Sequence, residues 1–349
     1  MEIKLLSPLD NATLCLTPKI QKELLDSLPT ENQIIENVYD WQHPTANFND
    51  NSRPEPVIFT WGLDGDLSLV TDINLVISPN VDFSEAEVHD IFPGQMLLSL
   101  TNFLSDKYYW KMVAYSDDDV IYESPVFSFN IANSLPRWYY IKGATNIRDI
   151  GGIKNADGQC TKYGMIYRGS ELDRDFEAHD FGLKFMSEKM RIKTDLDLRK
   201  AEEINPNGIS PIVGASLINV PILAYADIFT QDEKAKYSEI FKLLSDEKNY
   251  PLYIHCIAGA DRTGTLIAVL LSLLGVEWDD VATEYEYTTL SMFGIRSRHH
   301  KFFDSFKTAF ELYGDTPRLR AENYLLSCGV TREEMENIRK LLLEGEKNI

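Results

Sequence analysis

The pattern of hydrophobic and polar positions changes character once along the chain. Up to about residue 133, short runs rich in β-branched and aromatic residues recur at 57–61, 72–78, 108–115 and 125–131. Such runs suit half-buried strands. Turn formers separate them: Asp64-Gly65, Ser78-Pro79-Asn80, Pro93-Gly94 and Asp117-Asp118-Asp119. Short strands at this spacing predict an all-β sandwich over residues 1–133. The helix-like stretch 17–28 is assigned to the same unit.

From Pro136 onward, apolar helical stretches alternate with short strands, the signature of an α/β unit with a central sheet flanked by helices. A helix is expected near 177–190 and strands at 194–198, 217–222 and 250–254. The stretch 263–274 is apolar nearly all round, so it should be a buried helix, with Gly275 as its C-terminal cap. Thr331-Arg332-Glu333-Glu334 reads as a capping box that opens a last helix through Leu343, with Met335, Ile338 and Leu342 on one face. The second unit is expected to span 137–349.

Length and charge fit this division. A chain of 349 residues exceeds what one core usually serves. Residues 1–133 hold 6 basic and 21 acidic side chains, net −15, whereas the remainder has a net charge of only −5. The overall −20 argues against nucleic acid or an anionic membrane as partner, so any anionic substrate needs a local cationic site. Cys15, Cys160, Cys256 and Cys328 are scattered without metal-ligand spacing, and free thiols are expected. His299-His300 is assigned to a solvated face. No apolar run has membrane-spanning length. Residues 1–9 lack the regions of a signal peptide, and a leader already removed would leave no trace, so the compartment stays open.

The chemistry concentrates where the 250–254 strand meets the buried helix. Between them lies His255-Cys256-Ile257-Ala258-Gly259-Ala260-Asp261-Arg262-Thr263-Gly264. A tight loop running into a helix N-terminus turns its backbone N–H groups toward one point and makes an anion site. Ile257, Ala258, Gly259 and Ala260 would supply those amides. Cys256 would lie beneath the anion as a nucleophile, its thiolate favoured by the same dipoles, into a pKa range of roughly 3.5–7.5. Arg262 would return over the phosphate with a fork that matches two oxygens. Thr263 would donate its hydroxyl to the cysteine sulfur. The bland alternative is an inert buried cysteine after a strand.

This Cys-x5-Arg-Thr arrangement resembles the protein tyrosine phosphatase superfamily, and its Gly-x-Asp-Arg-Thr-Gly form is similar to the bacterial and fungal tyrosine phosphatases and to the myotubularin lipid phosphatases. Asn146-Ile147-Arg148-Asp149-Ile150-Gly151-Gly152, Tyr167-Arg168-Gly169-Ser170 and Asp197-Leu198-Arg199-Lys200-Ala201-Glu202 carry the resemblance across residues 137–349. It implies a phosphocysteine intermediate on Cys256, formed without metal or other cofactor. It further implies that Asp261 is the general acid, although Asp261 also suits a helix cap. Asp227 is the other candidate acid. His255 is implied to support the loop by hydrogen bonding. Arg148, Asp149, Asp197 and Arg199 are expected to form ion pairs beneath the loop, Gly151-Gly152 to turn close to it, and Arg168 to reach the pocket rim. The order Trp61, then 109–115, then 124–127 resembles a fibronectin type III or immunoglobulin-like domain, taken as a spacer or a docking module for a protein or surface partner.

Where some relatives place a lysine between the loop's Gly and Asp, this chain has Ala260. That favours a phosphotyrosine protein, with tyrosine or dual specificity, or a small phosphomonoester. Lys142, Lys154, Lys162 and Arg168 are the candidate sources of compensating charge. A phosphoinositide or inositol phosphate phosphatase with the same chemistry is the first alternative, and a phosphate-binding pseudoenzyme or adhesion-type protein the second.

Overall fold

The computed structural model describes residues 2–28, 50–132, 135–204, 207–291 and 294–345. The expected unit ends at 133 and 349 therefore lie outside the described residues. The chain forms two compact units, Met1–Thr17 with Pro54–Ser134, and Pro18–Arg53 with Leu135–Ile349.

In the first unit, β1 (Glu2–Ser7), β3 (Val57–Asp64) and β6 (Leu97–Leu100) form one sheet in the order β1-β3-β6. A second sheet runs β2-β9-β7-β4-β5, built from β2 (Ala12–Leu14), β9 (Phe127–Ile131), β7 (Lys107–Ser116), β4 (Asp72–Ser78) and β5 (Glu87–Ile91), with β8 (Asp119–Glu123) pairing β7. Alternation sets which side chains go inward. In β3, Val57, Phe59 and Trp61 are buried while Ile58 is exposed. They join Leu75, Ile77, Trp110, Met112 and Phe129 of the other sheet in one core. Phe59 meets Trp110 edge-on, with ring centroids 5.0 Å apart.

The second unit begins with α1 (Lys19–Ser27). The sequence reading put this helix with the first unit, but Leu24 is fully buried in a cluster with Trp138, Tyr287 and Leu290. Gln21 extends the attachment by donating to the carbonyls of Asn51 (2.9 Å) and Arg53 (2.7 Å). A six-stranded mixed sheet forms the centre, in the order β10 (Arg137–Trp138), β11 (Arg148–Asp149), β13 (Ile166–Gly169), β16 (Leu252–His255), β14 (Thr194–Asp197), β15 (Ser216–Asn219). From β13 to β15 all pairs are parallel. Every residue of β13, β14 and β16 is buried, as parallel strands covered on both faces require.

The helices are α2 (Asp180–Glu188), α3 (Gln231–Leu244), α4 (Asp261–Leu273), α5 (Trp278–Glu286), α6 (Lys301–Glu311), α7 (Pro317–Cys328) and α8 (Arg332–Leu342). Eleven residues of α4 are buried, and the helix packs against α5 and α7. Gly275 follows α4 at φ 82°, a left-handed position that suits glycine at a helix end. At α8 the capping box is complete: Glu334 N donates to Thr331 Oγ1 at 3.2 Å, and Thr331 N to Glu334 Oε2 at 2.7 Å. A two-stranded pair of β12 (Cys160–Thr161) and β17 (Leu343–Glu344) closes the described chain. No helix among the described residues is long and apolar enough to cross a membrane.

Candidate active site

The loop His255–Asp261 joins the central strand β16 to the buried helix α4, and its carbonyls are tied backward into the protein. Ile257 O accepts from Glu171 N at 2.9 Å, and Ala258 O and Gly259 O each accept from Asn146 Nδ2 at 3.1 Å. Arg168 Nη2 also donates to Gly259 O. In a trans peptide the next N–H points opposite to the C=O. The amides of Ala258, Gly259 and Ala260 are therefore turned to the other side of the loop, as an anion cradle requires. Gly259 has φ 63°, and a Cβ there would stand 2.0 Å from Gly169 O, so only glycine fits.

Cys256 is buried at the loop's start, 3% exposed. Behind it, His255 Nε2 forms an ion pair with Asp195 Oδ1 at 3.0 Å. Burial disfavours the imidazolium, but the carboxylates of Asp195 and Asp197 outweigh it and push His255 up to about 9. Arg262 stands in the first turn of α4, with Nη1 2.5 Å from Glu203 Oε2. Burial opposes its charge, yet Glu203 and the neighbouring Cys256 sulfur hold its pKa above the ordinary value. Thr263 is fully buried, but its hydroxyl has no hydrogen-bond partner, so the expected bond to the cysteine sulfur is not made.

Asp261 opens α4 and is bound on its solvent side. Its carboxylate accepts from the Tyr225 hydroxyl and from Arg296 Nε (3.0 Å) and Nη2 (3.5 Å). Asp227 is exposed on the 3-10 turn Tyr225–Phe229, two residues past the tyrosine that touches Asp261.

Several expected supports are rearranged. Arg168 does not reach the rim: it is fully buried in β13, with Nη1 2.7 Å from Glu284 Oε2, because only a buried carboxylate lets the guanidinium sit inside the sheet. Arg148 does not pair with Asp149 but with the same Glu284, at 2.8 Å. Burial, aided by the Arg168 charge, lowers its pKa to about 9. Asp149 instead accepts from the amides of Gly151 and Gly164, both at 2.7 Å, and burial raises it to about 6. Gly151 and Gly152 turn against Tyr163 and not against the loop. Arg199 pairs with Asp197 (2.7 Å), Glu171 (2.6 Å) and Asp173 (2.9 Å). Of the candidate extra cations, Lys162 Nζ is spent on the Lys340 carbonyl at 3.1 Å.

Besides Glu284, three contributors have no role assigned in the sequence reading, although Asn146 stands in one of its quoted motifs. Glu203, one residue past the quoted Asp197–Glu202 motif, holds Arg262. Asn146 holds the loop carbonyls and is itself held, since its N–H donates to Ser52 Oγ at 3.0 Å. Arg296 pairs with Asp261 and belongs to the run Arg296-Ser297-Arg298-His299-His300-Lys301. His300, assigned to a solvated face, is half-buried near Asp261 and Arg296.

The sequence profile of the tyrosine phosphatase family matches residues 139–344. A protein provisionally named a tyrosine-protein phosphatase, from Cupriavidus necator, is 27% identical over 165 residues, 40% of this chain and 59% of its own. An inositol diphosphatase of Arabidopsis thaliana is 35% identical over 82 residues, 24% of this chain and 30% of its own. The chain thus spans under two thirds of these curated relatives. Among solved structures, the catalytic core of the PP-IP phosphatase SIW14 from S. cerevisiae matches with 20% identity and a TM-score of 0.34, over 48% of this chain and 88% of that one. With a family match over the residues that build the loop, its sheet and its helices, the chain belongs to the tyrosine phosphatase family.

Proposed function

We propose that this protein hydrolyses phosphomonoesters through a phosphocysteine intermediate on Cys256, with a phosphotyrosine protein or a small aryl phosphate as substrate. The observation that carries the reading is the loop itself: Cys256 at its base, carbonyls tied backward into the protein, and Arg262 oriented by Glu203 in the adjoining helical turn. The Cys256 thiolate attacks phosphorus, and the phosphorus–oxygen bond to the leaving group breaks with its electron pair on that oxygen. Asp261 supplies the proton to this oxygen. Water then attacks phosphorus and returns a proton to Asp261, while the sulfur–phosphorus bond breaks to release inorganic phosphate and the thiolate. Arg262 and the amides of residues 257–260 stabilise the charge on the phosphoryl oxygens in both steps.

In this reading the domain division is 1–133 and 137–349 with one amendment: residues 18–53 serve the catalytic unit. The two sheets of the first unit, sharing one aromatic core, suit a fibronectin III or immunoglobulin-like sandwich that docks a protein or surface partner.

A second reading, an inositol phosphate phosphatase with the same chemistry, is favoured by the match to the plant inositol diphosphatase. Ala260, where a lysine would add positive charge, weighs against it. The test is metal-free phosphate release from an aryl phosphate, a phosphotyrosine peptide and an inositol polyphosphate, by the wild type, Cys256→Ser and Asp261→Asn. Vanadate-sensitive turnover that vanishes in Cys256→Ser supports the mechanism. A loss in Asp261→Asn that grows with a poorer leaving group supports the acid role. No turnover of any of the three by folded wild type overturns the proposal.

A further inference from the structure

A cavity of about 240 Å³ opens beside the catalytic loop, lined by Tyr225, Asp261, Tyr285, Ile295, Arg296, His300 and Phe302. Asp261, the residue directly before Arg262, forms the wall nearest the phosphate site. On the mechanism above, the group that leaves phosphorus emerges on the side of the general acid, and here that side is this cavity.

Its walls are of two kinds. The Tyr225 and Phe302 rings stack with centroids 5.6 Å apart, and Tyr285 meets Tyr225 edge-on at 6.3 Å. Phe302 is half exposed, with its stacked face on Tyr225. Aromatic walls suit a planar aromatic ligand. An apolar cavity of about 150 Å³ already holds benzene, so this one has room for an aryl ring and a further substituent. The other wall is polar and holds the Arg296–Asp261 ion pair. Arg296 carries the guanidinium, and His300 stands beside it. Its neighbour Arg298 pairs with Glu286 and Asp279, both at 2.6 Å, while Arg296 lines the cavity paired with Asp261 at 3.0 Å.

We propose that this cavity seats the leaving side of an aryl phosphomonoester that carries a second anionic group, with Arg296 receiving that group. The proposal rests on the phosphatase reading and narrows its substrate class to ring-bearing esters with acidic surroundings, such as phosphotyrosine beside a glutamate. Arg296 has a further consequence for catalysis. It engages both oxygens of Asp261, so the carboxyl reaches a leaving-group oxygen only after that latch opens. A substrate anion competes for the guanidinium and opens it. Tyr225, braced through its hydroxyl on Tyr285 at 2.8 Å, keeps Asp261 in position meanwhile. Recognition of the second anion and release of the acid are then one event.

The test compares kcat/KM for two phosphotyrosine peptides that differ only in Glu or Gln beside the phosphotyrosine, with an inositol polyphosphate as a third substrate. The wild type should prefer the Glu peptide by about tenfold, the scale of one well-placed charge pair, and added salt should shrink the ratio. In Arg296→Gln the ratio should fall toward one, and Arg296→Lys should restore part of it. A wild-type ratio within twofold of one overturns the proposal, as does a ratio unchanged in folded Arg296→Gln. Faster turnover of the inositol polyphosphate than of both peptides overturns the aryl assignment. Because the wild-type ratio and its salt dependence need no variant, the proposal can fail even if Arg296 variants do not fold. Equal turnover of both peptides sinks this inference alone, whereas no turnover of any substrate sinks the phosphatase reading.

Discussion

Replacing Asn146 by alanine tests whether the loop that carries Cys256 is held from behind. Asn146 donates to the carbonyls of Ala258 and Gly259, both at 3.1 Å, and its Oδ1 accepts from Arg148 Nη1 at 2.5 Å. Its backbone sits at φ 62°, where asparagine is tolerated and alanine is strained. Two neutral hydrogen bonds are worth about 1 kcal/mol each, a bond from a buried guanidinium about 1.5, and a left-handed alanine costs about 1, so Asn146→Ala should destabilise by about 4–5 kcal/mol. That is a large share of the roughly 5–15 kcal/mol typical of a domain. Chemical denaturation measures the loss. Phosphate release from an aryl phosphate, at a temperature where the variant stays folded, measures the second consequence. With Ala258 O and Gly259 O untied, those peptides can rotate and the cradle loses its preorganisation, so kcat/KM should fall at least tenfold. A destabilisation under about 1 kcal/mol together with unchanged kcat/KM would refute the account of how the loop is built.

Three further outcomes follow from the same geometry. Glu203→Gln removes the charged partner of Arg262 at 2.5 Å, and the freed guanidinium should bind vanadate about tenfold more weakly, read by inhibition of aryl phosphate turnover. His255 is raised to about 9 in the folded protein from an ordinary value near 6.5, so its contribution to stability is complete below about pH 6.5 and is lost as pH rises through 9. Denaturation midpoints should therefore fall between pH 6.5 and 9, and Asp195→Asn should flatten that slope; a midpoint independent of pH there would exclude the pairing. Removing residues 1–133 should abolish activity on even a small aryl phosphate, because α1 and Ser52 go with them, and full activity in that truncation would show that the attachment is dispensable.

The elements that were legible in the sequence are those whose signal is local. A buried all-apolar helix, a left-handed glycine at its end and a capping box each need only a few neighbouring residues to declare themselves, and α4, Gly275 and Thr331–Glu334 stand where those signals put them. The strands β1, β2, β5, β6 and β8 and the two-residue strands β10, β11, β12 and β17 were not among the expected ones. In β5, β6 and β8, Val88, Leu97, Val120 and Ile121 are exposed, so the runs lack the burial pattern that marks a strand. In the site, the loop was visible because strand, nucleophile, glycine, arginine and helix are contiguous. Its supports are not. Asn146 and Arg296 bond it directly, Glu203 holds Arg262 and Glu284 acts through Arg168; all four come from separate segments, and each is an ordinary polar residue until the sheet and helices bring it within hydrogen-bond distance.

Residues 18–53 illustrate the same limit at the scale of a domain. Composition put the boundary near 133, because everything before it is acidic and much of it β-rich. Yet the chain enters the catalytic unit early, lays α1 against Trp138, Tyr287 and Leu290, and returns through Asn51, whose N–H donates to Leu290 O at 2.7 Å. Ser52 then meets Asn146, and Asn146 meets the loop. Gln21, fully buried and donating to both Asn51 O and Arg53 O, fixes that return. A series of specific hydrogen bonds therefore runs from α1 to the carbonyls behind Cys256. Ser52 Oγ accepts from Asn146 N and also meets Asp50 Oδ1 and Thr145 Oγ1, so Ser52→Ala should cost about 3 kcal/mol, less than the roughly 4–5 kcal/mol of Asn146→Ala. The order of those two losses is the quantity to measure: a Ser52→Ala effect as large as that of Asn146→Ala would mean that the segment, and not the asparagine, carries the loop.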